Sequence, residues 1–199
     1  MLACADSLNV GGGRHNWDMS AELPAKLCET AQRQAGIVSR QQAITAKMSP
    51  RAIEWKVRAG EWRQVYWGVY VTFTGPLSRP AQLWAAVLYA GEGAVLSHAS
   101  AAELQGLVDQ PADVIHVTVP AHRRVTPVTG LVIHRSDLPE RLSEYPVGEV
   151  PMTLVADTVI DLAEACASVD DVYGWVGRAF GRKGARAAGG AGGRPPGGG

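Results

Sequence analysis

Cysteine is scarce in this sequence. Cys4, Cys28 and Cys166 lie far apart and are odd in number. That excludes a disulfide scaffold and a cysteine-based zinc site, and it suits a reducing cytoplasm. Long apolar runs are missing as well. The longest, Leu83 to Gly91, has nine residues and stops at Glu92, far short of the roughly 20 that a spanning helix needs. The N-terminus has neither a basic start nor an apolar stretch, so it does not read as a secretory signal. A dominant charge is also absent: 19 Lys and Arg cancel 19 Asp and Glu, and net charge names no partner. What is present is apolar substance. With 46% hydrophobic residues in 199, the chain can bury a core, as one domain or two small ones.

The zero balance conceals an asymmetry. Residues 33–68 hold seven Lys and Arg against two Glu, an excess of five positive charges. Residues 100–175 hold four Arg against twelve acids, an excess of eight negative charges. A basic block before an acidic one suggests two modules with different partners; solvated surface charge is the alternative. Residues 1–19 include Gly11-Gly12-Gly13 and show no helical period, and Met19 reads as a candidate start. Residues 184–199 contain eight glycines in sixteen positions. Both ends are expected to be disordered, since neither can bury enough apolar surface to offset its ordering entropy. The tail reads as an out-of-frame extension of a GC-rich gene.

Between residues 20 and 75 the pattern predicts three short helices and a hairpin. Ser20 caps a first helix from Ala21, with Pro24 in its first turn and Leu23, Leu27 and Ala31 on one face. Gly36 ends it, and Ile37-Val38 form a short buried connector. Ser39 starts a second helix, with Ala43 and Ile44 inward, that ends near Lys47-Met48. Ser49-Pro50 opens a third, whose core face is Ile53 and Val57 and which Gly60 stops. Trp62–Tyr66 and Val69–Phe73 are rich in aromatic and β-branched residues and flank Trp67-Gly68, a hairpin signal. Three helices and a hairpin in this order predict a winged helix-turn-helix, with the hairpin as wing.

That placement gives the basic residues a role. Arg51, Trp55 and Arg58 share the outer face of the third helix, where a recognition helix meets base edges. Lys56 and Arg63 are placed for phosphates, as is Arg40 at the start of the second helix, and Ser49, the cap of the third, is counted among the DNA-binding residues. The alternative is a small α+β domain whose exposed helix is merely basic.

Residues 76–183 predict a small mixed α/β domain. A helix begins near Ser78-Arg79-Pro80, and its Leu83–Leu88 face covers the first domain or joins two copies of the chain. Ser97 caps another helix as far as Gly106. Val114–Val119 and Gly130–His134 read as strands around a basic turn, His122-Arg123-Arg124. Thr153–Ala165 and Val169–Phe180 read as helices, the first with Leu154, Val155, Val159, Ile160 and Leu162 apolar. The fold class predicted for the whole is α+β.

Catalytic and metal motifs are not found in the sequence. The one Glu-x-Lys, Glu54-Trp55-Lys56, falls on the third helix rather than on a strand. His98, His116, His122 and His134 sit on separate segments without metal-ligand spacing, so no metal is expected. Gly91-Glu92-Gly93 lacks the Gly-Lys-Ser/Thr of a phosphate loop. Ser97-His98 are chain neighbours, a poor geometry for a nucleophile and its base. Asp157 and Asp161, one turn apart, could hold a cation or a basic partner but read better as a solvated face. Of the six tryptophans, Trp62 and Trp84 are expected in the core and Trp55 and Trp67 outside.

Several segments together resemble AbiEi-family antitoxins of type IV toxin–antitoxin systems. They include Gln34–Arg40, Ser49–Ile53, Val57–Val65 and Gly68-Val69-Tyr70, then Leu83–Leu88, Gly93–His98, His116–Pro120 and Thr158–Ala163. The resemblance spans about residues 21–180. It implies a cytoplasmic winged-helix repressor without enzyme activity or cofactor. It also implies that the partner is double-stranded operator DNA and that a second domain antagonises a nucleotidyltransferase-like toxin. This chain departs from the pattern at Glu54 and Trp55, where similar sequences are more basic, and at Lys47, where glycine is common. Many similar chains continue into an endonuclease domain resembling very-short-patch repair nucleases, which is not seen here. Two other readings stay open: an inactive truncated relative of such a nuclease, and a protein-interaction module whose acidic half neutralises a basic toxin.

Overall fold

A computed structural model describes residues 23–137, 149–165 and 168–189. The first half runs α1 (Ala25–Arg33), β1 (Ile37–Ser39), α2 (Arg40–Thr45), α3 (Pro50–Arg58), β2 (Arg63–Tyr66) and β3 (Val69–Val71). Its strands form an antiparallel sheet in the order β1-β3-β2. The second half runs α4 (Arg79–Ala90), β4 (Val95–Leu96), α5 (His98–Gln105), β5 (Ile115–Pro120), β6 (Leu131–Ser136), α6 (Val155–Ala165) and α7 (Val169–Gly189). Its sheet has the order β4-β5-β6. The class is α+β, and the first half has the element order of a winged helix-turn-helix.

The helix starts follow from local chemistry. Ser39 and Gln42 form a capping box: Ser39 Oγ accepts from the Gln42 N–H at 3.1 Å, and Gln42 Oε1 accepts from the Ser39 N–H at 2.8 Å. Ser49 Oγ accepts from the Ala52 N–H, and Ser78 Oγ from the Ala81 N–H, each ahead of an early proline. At α1, Pro24 itself occupies the N-cap position. The expected start at Ser20-Ala21 lies outside the described residues, as do residues 1–19. At the other end α7 carries helix to Gly189, so residues 184–189 are helical rather than disordered, and residues 190–199 are not described.

Ile37 and Val38 are fully buried, as expected of a connector. They are nevertheless a strand, because β3 lies alongside and pairs Ile37 with Val71 and Ser39 with Val69. Gly36, with φ of +81°, lets the chain turn into that strand, and the Phe73 ring lies where a β-carbon would go. Ile44 is 40% exposed, not inward; Ala43 alone carries the inner face of the short α2.

The basic segment at residues 122–124 does not close a hairpin, because β5 and β6 run parallel with Ile115 opposite Leu131. Residues 121–130 are therefore a crossover, pinned by the Tyr89 hydroxyl donating to the Thr126 carbonyl at 2.8 Å and by the Arg123 guanidinium on the Ala90 carbonyl. On α6, Leu154, just before it, and Ile160 are exposed, while Leu162 is buried.

One apolar cluster joins the halves. Ile37, Val69 and Val71 of the first sheet meet Leu83, Ala85 and Ala86 of α4, and the same cluster continues to Leu96, Ile115, Val117 and Val119 of the second. A second cluster, with Leu27, Ala31, Ile53, Trp62 and Tyr70, holds the three N-terminal helices to the other face of the first sheet.

The α2–α3 turn is a Schellman motif. Met48 N–H donates to the Ala43 carbonyl and Lys47 N–H to the Ile44 carbonyl, with Lys47 at φ of +71°. That left-handed backbone is the physical reason glycine suits this position. Lys47→Gly is expected to stabilise the fold by up to about 1 kcal/mol, partly offset by glycine's greater freedom when unfolded. Urea denaturation checks it; a lower midpoint for the variant would contradict the strain at Lys47.

Candidate nucleic-acid interface

At about 100° per residue, α3 turns Ile53 into the core and Arg51 and Arg58 to the opposite side. Both arginines are exposed. Glu54, also exposed, flanks them on one side, and the half-buried Trp55 on the other. Ser49 holds the start of this helix, its hydroxyl taken by the cap. Arg40 opens α2 and is half-buried; its backbone N–H donates to the Gly68 carbonyl at 2.7 Å. The hairpin turn is thereby fastened beside α2, and Trp67 at its tip is 86% exposed. Arg63, on β2, is exposed and donates from its guanidinium to the Gly75 carbonyl at 3.0 Å.

Lys56 departs from its expected role as a phosphate contact. It lies on the flank of α3 at 7% exposure, with Nζ 2.8 Å from Glu61 Oε2 and 5.7 Å from the centre of the Trp55 ring. Gly60 turns the chain so that Glu61 comes back against the helix, which sequence spacing alone does not reveal. Trp62 and Trp84 are buried as expected; Trp55 is less open than expected, and Trp67 is the fully open one.

Residues 26–72 match the family described as transcriptional regulator, AbiEi antitoxin. That span runs from the second residue of α1 to just past β3, so the resemblance read from the sequence holds there. That family is one of antitoxin transcriptional regulators. Among solved structures, the RV2827C protein from Mycobacterium tuberculosis is similar at 18% identity and a TM-score of 0.42, over 71% of this chain. The chain spans 60% of that protein's length. No curated protein matches. No described helix is long and apolar enough to cross a membrane.

A second side-chain cluster lies in the other half of the molecule. The expectation that the histidines are scattered does not hold in space: His98, His116 and His134 each bring one ring nitrogen within 4.8 Å of the others. The rings stack, His98 on His134 with centres 3.7 Å apart, and His116 Nδ1 lies 3.0 Å from His134 Nε2. Asp161, 2% exposed on α6, faces His98 Nδ1 at 3.6 Å. Ser97 Oγ is 3.0 Å from that same nitrogen. Ser97 therefore caps no backbone N–H of α5. Serine and carboxylate at one ring nitrogen do not make a relay across the imidazole, so this is no hydrolase triad.

Burial lowers the pKa of His116, helped by the neighbouring His134 ring. Burial also lowers that of His134; His98 adds to the effect and Asp161 opposes it. Rings held below the ordinary 6.5 bind fewer protons folded than unfolded. Stability is thus complete above that value and declines as the pH drops through the lowered pKa values. In chelated buffer, the urea midpoint of the parent should fall between about pH 7 and pH 5, and less so for His116→Gln/His134→Gln. Equal slopes for the two proteins would remove these rings as the cause.

Proposed function

We propose that the chain is an antitoxin-type repressor that binds double-stranded DNA of its own operator. In this reading residues 20–75 form the DNA-binding unit and residues 76–183 a second unit that antagonises a nucleotidyltransferase-like toxin in the cytoplasm. The observation that carries it is the outer face of α3, where Arg51 and Arg58 stand exposed, opposite the buried Ile53, within the matched segment. Arg51 and Arg58 read bases, since a guanidinium fork suits the guanine edge. Arg40 and Arg63 meet phosphates, and Trp55 and Trp67 flank them. Ser49 and Lys56 act indirectly: the one caps the helix, and the other holds its flank through Glu61.

The outer surface of the second unit supports a protein partner. Ile160 on α6 and Tyr173 and Phe180 on α7 are between 51% and 72% exposed. Such side chains suit a toxin surface or a second copy of the chain.

The reading is tested by gel shift on the DNA upstream of the gene. Arg51→Ala and Arg58→Ala should each weaken binding by about 1–3 kcal/mol, and affinity should fall steeply with salt as phosphate counterions are released. Lys56→Met should lower stability more than operator affinity. Parent-like binding by both arginine variants would show that α3 does not read the operator.

A further inference from the structure

We propose that His98, His116 and His134 form a binding site for one divalent transition-metal ion, zinc by preference. The strand register brings two of the ligands together. His116 stands opposite Val132, and Thr118 opposite His134. The two histidines therefore sit two positions apart on adjacent parallel strands, on one face of the sheet. β4 pairs Leu96 with Val117 and delivers His98 onto that face as the first residue of α5. His98 takes φ of +49°, a left-handed backbone that histidine adopts more readily than most residues other than glycine.

The spacing suits a small ion. Zinc–nitrogen bonds of about 2.0–2.1 Å put tetrahedral ligand atoms about 3.4 Å apart. The His116–His134 pair already stands at 3.0 Å, and all three nitrogens lie within 4.8 Å. A rotation of the stacked rings closes the rest. In the His116–His134 hydrogen bond one nitrogen carries a hydrogen, so that ring changes tautomer to offer its lone pair, with no net proton released.

The donor set selects the metal. Three imidazoles suit zinc, copper, nickel or cobalt, whereas magnesium and calcium need oxygen ligands. Asp161, beside His98, provides the carboxylate that commonly orients a ligating histidine. All three rings are half-buried, so a fourth coordination position can face solvent. The bound ion would tie β5 and β6 to the start of α5, in the half of the molecule away from α3.

The test uses the untagged full chain, stripped with a chelator, at about pH 7.5, where imidazole is neutral. Zinc sulfate is titrated by calorimetry and cobalt(II) by visible absorption. One zinc per chain is expected, with cobalt d–d bands of a nitrogen-ligated site and a Tm that rises with the logarithm of zinc concentration. His116→Gln and His134→Gln should each weaken binding by about tenfold or more. His122→Gln, at an exposed histidine outside the cluster, should bind as the parent does. Should the ligand variants fail to fold, zinc protection of the parent's histidines against diethyl pyrocarbonate, mapped by mass spectrometry, answers the same question. No saturable binding, binding indifferent to both ligand variants, or no protection of the three rings would each overturn the site.

Discussion

The structure depends on one helix being buried nearly all round. α4 presents Ala81, Leu83, Trp84, Ala85, Ala86, Val87 and Ala90 to the interior, all at 8% exposure or less. A helix that is apolar on most of its circumference needs cover on more than one side. Here the β1-β3-β2 sheet supplies one cover and the β4-β5-β6 sheet the other. The alanines allow close approach, while Leu83 and Trp84 fill the space beyond. Its ends are tied as well: Arg79 makes a two-pronged contact with Glu103 and donates to the Ala112 carbonyl, while Arg123 reaches the Ala90 carbonyl. A guanidinium so held couples the start of α4 to the end of α5 through charge-assisted bonds.

Local chemistry was legible in the sequence. Ser39, Ser49 and Ser78 cap helices, Gly36 and Gly60 end them, and Ile53 and Leu27 face inward, because caps and periodicity act over a few residues. What escaped is non-local. Ile37–Ser39 is too short to announce itself as a strand and becomes one only through β3, some thirty residues on. The parallel β5–β6 pairing follows from the path of the whole second half, which the expected turn at residues 122–124 does not reveal. On the interface, the exposure of Arg51 and Arg58 followed from helical phase. The burial of Lys56 did not, since it needs Glu61 to fold back past Gly60.

The two clusters of polar side chains contrast in how they are built. The α3 face keeps its arginines in water, where they answer to charge at a distance and to salt. The three histidines are drawn together by strand register across 37 positions of chain and partly withdrawn from water. No spacing rule on the sequence links residues 98, 116 and 134; only the sheet does.

The hydrogen bond from the Arg40 N–H to the Gly68 carbonyl has a consequence for motion. It joins the tip of the hairpin to the first turn of α2, while β1 and β3 join the same two regions from behind. A hairpin clasped at both tip and base is held against swinging independently of its helices. The α2–α3 pair and the hairpin would meet a curved surface as one rigid jaw, so any adjustment on contact falls to the other body. On the proposed DNA partner, a deformable duplex step would then be favoured over a stiff one, and selectivity would arise at positions that no side chain touches.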